Sequence, residues 1–231
     1  MEKEIATKNQ LLFLHGYLAD KRSFSYQYPY FERNFDTYPI DLKGFGENVG
    51  MEYPYSLDDY IQEVKEFCYK NSIVKPSVIA HSFGGRIAIK LSATEKDFFN
   101  KLVLTGSAGL KPRYSLKKKV KGLAYKGLKP FVKKERLEKF FSSDYNKLDS
   151  VMKKSFIKIV NEHLDGYLCQ IENPTLLVYG ELDKETPLYM ARRLNKNIKN
   201  STLKIYQRAG HFCFIDKPLK FNLEVEEFLL S

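Results

Sequence analysis

Ser77-Val78-Ile79-Ala80-His81-Ser82-Phe83-Gly84-Gly85-Arg86-Ile87-Ala88 decides how this chain is read. An apolar, strand-like run stops at a serine, two glycines follow, and helical spacing begins. That layout suits a sharp strand-to-helix turn that lifts the Ser82 hydroxyl off the end of a sheet. Small residues flank such a turn because larger side chains would collide with neighbouring backbone. The plainer alternative is that Ser82 is an ordinary helix N-cap, a position serine favours.

Working outward, short apolar runs near Leu11–His15, Thr37–Ile40, Val78–Ala80, Leu102–Thr105, Leu176–Tyr179 and Leu203–Tyr206 are predicted strands. Helical spacing lies between them. Leu57, Ile61, Val64, Phe67 and Cys68 recur at three and four residues, as do Ile87 and Leu91. Pro187 suits the first turn of a helix carrying Leu188, Ala191 and Leu194, and Phe221, Val225 and Phe228 mark a terminal helix. Strands alternating with helices predict a parallel sheet covered on both faces. The alternation breaks between about Leu110 and Gln170. There Leu116, Val120, Leu123, Leu128 and Phe131 form an apolar stripe set in lysines, and a second helical stretch spans Val151–Leu164. No strand pattern interrupts it, so the segment reads as a helical insertion above the sheet.

Length and composition narrow the function classes. The 231 residues, 43% hydrophobic, suffice for one sizeable core. The apolar runs fall far short of the ~20 residues that span a bilayer, and the first residues carry acids rather than a signal peptide's apolar stretch. Cys68, Cys169 and Cys213 lack metal-ligand spacing and cannot all pair, which points to a reducing cytoplasm. The net charge of +10 is concentrated between Lys111 and Lys139, where 12 basic residues face two acids, Glu135 and Glu138, and the rest of the chain balances. Such a stripe most often is a solvated helix face. Anionic substrates or peripheral contact with acidic lipid are the alternatives. No nucleic-acid-binding motif accompanies the charge, so nucleic acid is not an expected partner.

In an open parallel sheet, ligands bind at the carboxyl ends of the strands. The third strand ends at Ser82, the fifth runs into Gly180-Glu181-Leu182-Asp183, and the sixth is followed by Ala209-Gly210-His211. A serine, an acid and a histidine therefore reach one rim in that order. With His15-Gly16, Asp41-Leu42-Lys43-Gly44-Phe45-Gly46 and Ala80-His81-Ser82-Phe83-Gly84-Gly85, these stretches resemble the α/β-hydrolase family, whose chain order is the same. The likeness runs from His15 to the C-terminus. It implies an α/β fold with a shortened, mostly parallel sheet of about six strands, helices on both faces and a helical lid. The core would comprise residues 1–109 and 171–231, and the lid residues 110–170. Two departures stand out: Ala80 occupies the first glycine position of the turn, and few residues precede the strand at Leu11, where relatives carry two further strands.

The resemblance implies a serine hydrolase. Ser82 would be the nucleophile, His211 its base and Asp183 the group that orients the imidazole. The backbone N–H groups of Tyr17 and Phe83 would form the oxyanion hole, supported by His15 and Gly16. Glu181 competes with Asp183, and His81 with His211, although the His81 side chain is expected to point elsewhere. Arg86 is expected in a salt bridge or cap, Asp41 in loop stabilisation, and His163 at the surface. No metal or cofactor is implied. A small or medium carboxylic ester is the expected substrate, in a pocket bounded by lid residues such as Leu116, Leu123, Tyr125 and Phe131. C–C bond hydrolysis, thioester hydrolysis, acyl transfer, or a non-catalytic binding role on the same scaffold remain as alternatives.

Overall fold

A computed structural model describes residues 8–113 and 148–231. Six strands, β1 (Asn9–Leu14), β2 (Phe35–Ile40), β3 (Ser77–His81), β4 (Leu102–Thr105), β5 (Thr175–Gly180) and β6 (Ser201–Tyr206), form one sheet in the order β2-β1-β3-β4-β5-β6. Every pairing is parallel. The six predicted strands and the doubly covered sheet are thus present. The sequence pattern explains which strands are inside. β3, β4 and β5 are buried along their whole length, as continuous apolar runs in parallel sheets are. β6 and β2 lie at the two edges and keep exposed residues.

Side chains alternate between two cores. Leu12, Leu14, Val78, Ala80, Leu177 and Tyr179 face one layer with α2 (Leu57–Lys70), α3 (Phe83–Thr94) and α5 (Leu188–Asn197). Leu11, Phe13, Ile79, Val103, Leu176 and Val178 face the other, closed by α1 (Tyr28–Phe31), α6 (Cys213–Asp216) and α7 (Pro218–Leu230). The helix α4 (Ser150–Asn161) lies on the α3 side, where Met152 and Ile159 join the first core. Ser56 and Asp59 form a capping box that starts α2.

Three boundaries differ from the sequence pattern. β2 begins at Phe35 rather than Thr37, because Asn9–Leu14 offers six residues to pair against. Pro187 stands just before α5, in extended backbone, instead of inside its first turn. The helix expected at Val151–Leu164 ends at Asn161 and is followed by a 3₁₀ turn at Asp165–Gln170. Of the insertion, Leu116, Leu123, Tyr125 and Phe131 lie outside the described residues. Among the described residues, no helix is long and apolar enough to cross a membrane.

Candidate active site

The register brings the carboxyl ends of β1, β3 and β4 side by side: Leu14 pairs with Ala80, and His81 with Thr105. Ser82 follows β3 with φ 48° and ψ −101°, left-handed backbone that costs a non-glycine residue about 1–3 kcal/mol. The turn persists because its surroundings fix it. Ser82 N–H donates to Thr105 O at 3.1 Å, Ala108 N–H to Ser82 O at 3.1 Å, and Gly84 N–H to His15 O at 3.0 Å. Glycine is required at 84 and 85. A Cβ on Gly84 would overlap the Leu14 carbonyl, and one on Gly85 the Ser107 side chain. The Ser82 hydroxyl makes no capping hydrogen bond to α3, so it is not the ordinary N-cap that its position allows.

Asp183 and His211 meet at the ends of β5 and β6. Asp183 Oδ2 accepts from His211 Nδ1 at 2.9 Å and from the Thr186 hydroxyl at 2.7 Å. Its Oδ1 accepts from the Glu185 and Thr186 amides at 2.9 Å each. The Asp183 side chain is 0% exposed, and that of His211 14%. Burial works to raise the Asp183 carboxyl, but the bonds from His211 and Thr186 outweigh it and hold the group below the ordinary aspartate value. A carboxylate on Nδ1 fixes the hydrogen there and leaves the Nε2 lone pair available. Glu181 is exposed and instead accepts from the Arg208 amide at 3.2 Å. Thr186 was not singled out in the sequence. Its spacing, three residues after Asp183, is that of a side chain folding back on an aspartate-led turn.

His81 does not point away from the site. Its ring lies 4.6 Å from that of His211, and its Nε2 is 3.2 Å from His211 O. Full burial, followed by the proximity of His211, pushes it down to about 3, so the ring is neutral at physiological pH. The neutral ring is thus placed to donate from Nε2 to the His211 carbonyl.

His15 accepts from the Leu42 amide at Nε2 (3.0 Å). Its Nδ1 therefore carries the hydrogen and donates to Gly16 O at 2.8 Å. Burial keeps this ring below the ordinary histidine value. The Gly16 carbonyl and the Tyr17 N–H are opposite ends of one trans peptide, so gripping the oxygen turns the N–H the other way. Phe83 is the first residue of α3, and its N–H has no carbonyl one turn back inside the helix. The Tyr17 and Phe83 rings meet edge-on at 5.4 Å, and both pack on Phe45.

Three other residues singled out in the sequence have plain places in the fold. Asp41 accepts from the Lys21 and Glu47 amides and stabilises its loop. Arg86 caps α4 by donating to Ile159 O (2.8 Å) and Glu162 O (2.9 Å). His163 is exposed. Cys68, Cys169 and Cys213 are free thiols. Among the described residues, no three His, Cys, Asp or Glu side chains converge as metal ligands. A surface cavity of about 470 Å³ opens between β2 and α2, lined by Asp41, Asn48, Glu63 and Phe67 among others, and none of its lining residues belongs to the rim around Ser82.

The family model for serine aminopeptidase, S33 (Hydrolase_4), matches residues 6–218. The AB hydrolase superfamily protein YisY of Bacillus subtilis is 27% identical over 98% of this chain and 93% of its own length. A 2-hydroxy-6-oxo-6-(2'-aminophenyl)hexa-2,4-dienoic acid hydrolase of Metapseudomonas resinovorans is 24% identical over 87% of this chain and 76% of its own. Among solved structures, the esterase EaEST from Exiguobacterium antarcticum is similar with a TM-score of 0.78, at 24% identity, over 97% of this chain and 93% of its own. That last likeness speaks for the fold.

Proposed function

Since the chain belongs to the α/β-hydrolase family of serine aminopeptidase (S33) type, we propose that it is a serine hydrolase of small or medium carboxylic esters, with Ser82, His211 and Asp183 as its triad. The observation that carries this reading is the buried Asp183–His211 bond of 2.9 Å on the same rim as the strained Ser82 turn. A hydroxyl is a poor nucleophile near neutral pH and needs a base. As Ser82 Oγ bonds to the ester carbonyl carbon, its proton passes to His211 Nε2, and Asp183 stabilises the imidazolium. The oxyanion accepts from the Tyr17 and Phe83 amides. Collapse breaks the bond to the alcohol, which leaves with the proton from His211. Water then attacks the acyl-enzyme, gives its proton to His211, and releases the acid as Ser82 recovers its hydrogen. His15 and Gly16 support the Tyr17 amide through the grip on the Gly16 carbonyl.

Fluorophosphonate labelling tests the reading, with Ser82→Ala as the reference. Wild type is expected to label at least ~10³-fold faster than the variant. Equal labelling overturns the nucleophile and leaves a binding role on the same scaffold. A p-nitrophenyl ester series then fixes the acyl length. C–C bond hydrolysis is the second reading, favoured by the relative whose name describes a dienoic acid hydrolase. Turnover of a vinylogous 1,5-diketone in preference to every ester would select it. The reading further implies a cytoplasmic enzyme acting on a small acyl substrate without a cofactor.

A further inference from the structure

We propose that Tyr17 is a positioning residue that ties the oxyanion amide to α4, so that the placement of this helix sets the rate of the chemical step. The inference rests on the reading of Ser82 as the nucleophile and of the Tyr17 amide as an oxyanion donor. It adds a role for the side chain of the same residue. The Tyr17 hydroxyl donates to Met152 O in the first turn of α4 at 3.1 Å, and its ring packs on Phe156 one turn later, at 5.1 Å. The ring also meets Phe45 at 4.8 Å and Phe83 at 5.4 Å. The two residues whose amides would hold the oxyanion therefore touch through their rings, and one of them is bonded to a helix outside the sheet.

α4 can serve as a fixed post because other bonds hold it independently of Tyr17. Asp149 caps its first turn through the Val151 and Met152 amides. The Ser155 hydroxyl donates to Tyr55 O at 2.9 Å, and Lys158 Nζ to Pro54 O at 2.7 Å. Arg86 holds the far end through the carbonyls of Ile159 and Glu162. Lys90 adds ion pairs to Glu162 and to Asp58 of α2. A donor amide aimed at a developing charge is worth ~10²–10³ in rate when fully lost, and a shift near 1 Å can cost ~10². Releasing the hydroxyl while keeping the ring should forfeit only part of that.

Tyr17→Phe removes the bond to Met152 O and preserves the aromatic packing. With p-nitrophenyl butyrate, kcat is expected to fall about 5- to 30-fold while KM stays within about twofold. Affinity for phenylboronic acid, which mimics the tetrahedral oxyanion on Ser82, should fall by the same factor, and inhibition by the product butyrate should not change. Ser155→Ala loosens α4 elsewhere. It should lower kcat in wild type by about threefold and have no further effect in Tyr17→Phe, because both act through one connection. A Tyr17→Phe kcat within twofold of wild type, a change confined to KM, or multiplicative effects of the two substitutions overturns the proposal. Failure of the underlying reading looks different: Ser82→Ala would then retain its activity whatever happens at position 17.

Discussion

The β3–α3 turn and the helix α4 flank the same site but are built by opposite means. At the turn, the chain passes so close to neighbouring main chain and side chain that residue type is dictated. Gly84 lies against the Leu14 carbonyl, and Gly85 against Ser107. α4 is held mostly by side chains reaching main-chain carbonyls: Tyr17 to Met152, Ser155 to Tyr55, Lys158 to Pro54, and Arg86 to Ile159 and Glu162. Carbonyls are common to every residue, so those bonds place few demands on which residues offer them. One region of the site is therefore written as a motif, and the other as an architecture that many sequences could satisfy.

The sharpest way to break this contrast is Gly84→Ala. The added methyl overlaps the Leu14 carbonyl, so urea unfolding should show a loss of about 3 kcal/mol or more, or no soluble protein. A loss under about 1 kcal/mol would mean that the turn has slack and that crowding does not dictate its sequence. Next comes Arg86→Met. Burial lowers the Arg86 guanidinium to about 10, still charged at neutral pH, and its removal leaves two carbonyls at the end of α4 without this donor. Stability should fall by about 2 kcal/mol, with ester hydrolysis falling less than in Tyr17→Phe.

Glu63 occupies middle ground, a side chain that holds the loop after β2. It accepts from the Lys43 amide (3.1 Å) and Asn48 Nδ2 (2.9 Å). Burial raises it from 4.5 to about 7, against the opposing pull of the Lys43 amide and ammonium and of Asn48, and Glu66 nearby adds repulsion. The folded state thus holds this proton more tightly than the unfolded chain. The group's contribution falls as pH rises from its unfolded value through about 7, then levels off. Gln cannot ionise, so the Tm of Glu63→Gln minus that of wild type should climb between pH 5 and 8. A pH-independent difference would show that the carboxyl is already relieved by solvent. The smallest effect is expected for Lys158→Ala. Despite its 2.7 Å bond to Pro54 O, this exposed lysine should change stability by no more than about 0.5 kcal/mol, read from the same urea curves.

The same contrast explains what could be read from the sequence. Ser82 with its glycines was legible because crowding restricts the residues allowed there. Asp183 and His211 were legible because apolar strands end just before them, and the register then brings them to one rim. The Tyr17 hydroxyl and the acceptors of Arg86 left no pattern, because each meets a partner far along the chain, and the spacing of Thr186 from Asp183 is one that many ordinary turns share. His81 was placed wrongly for a related reason. Its neighbour Ser82 turns outward, but the ring direction depends on β4 and on the His211 main chain, which adjacency does not specify. The start of β2 at Phe35 was likewise fixed by pairing with Asn9 rather than by its own alternation.

The strand order also dictates when the chemistry can begin as the chain leaves the ribosome. In the order β2-β1-β3-β4-β5-β6, each strand after β3 is added to the same growing edge. β1 and β3 can pair, and the Ser82 turn can close, before Asp183 and His211 have been translated. If Ser82 is the proposed nucleophile, a nascent chain carries it without its proposed base and acid, which are translated later. Recovery of hydrolysis on refolding becomes a clock for the docking of β6, and it should lag the near-ultraviolet signal of the tyrosines packed around β1–β3.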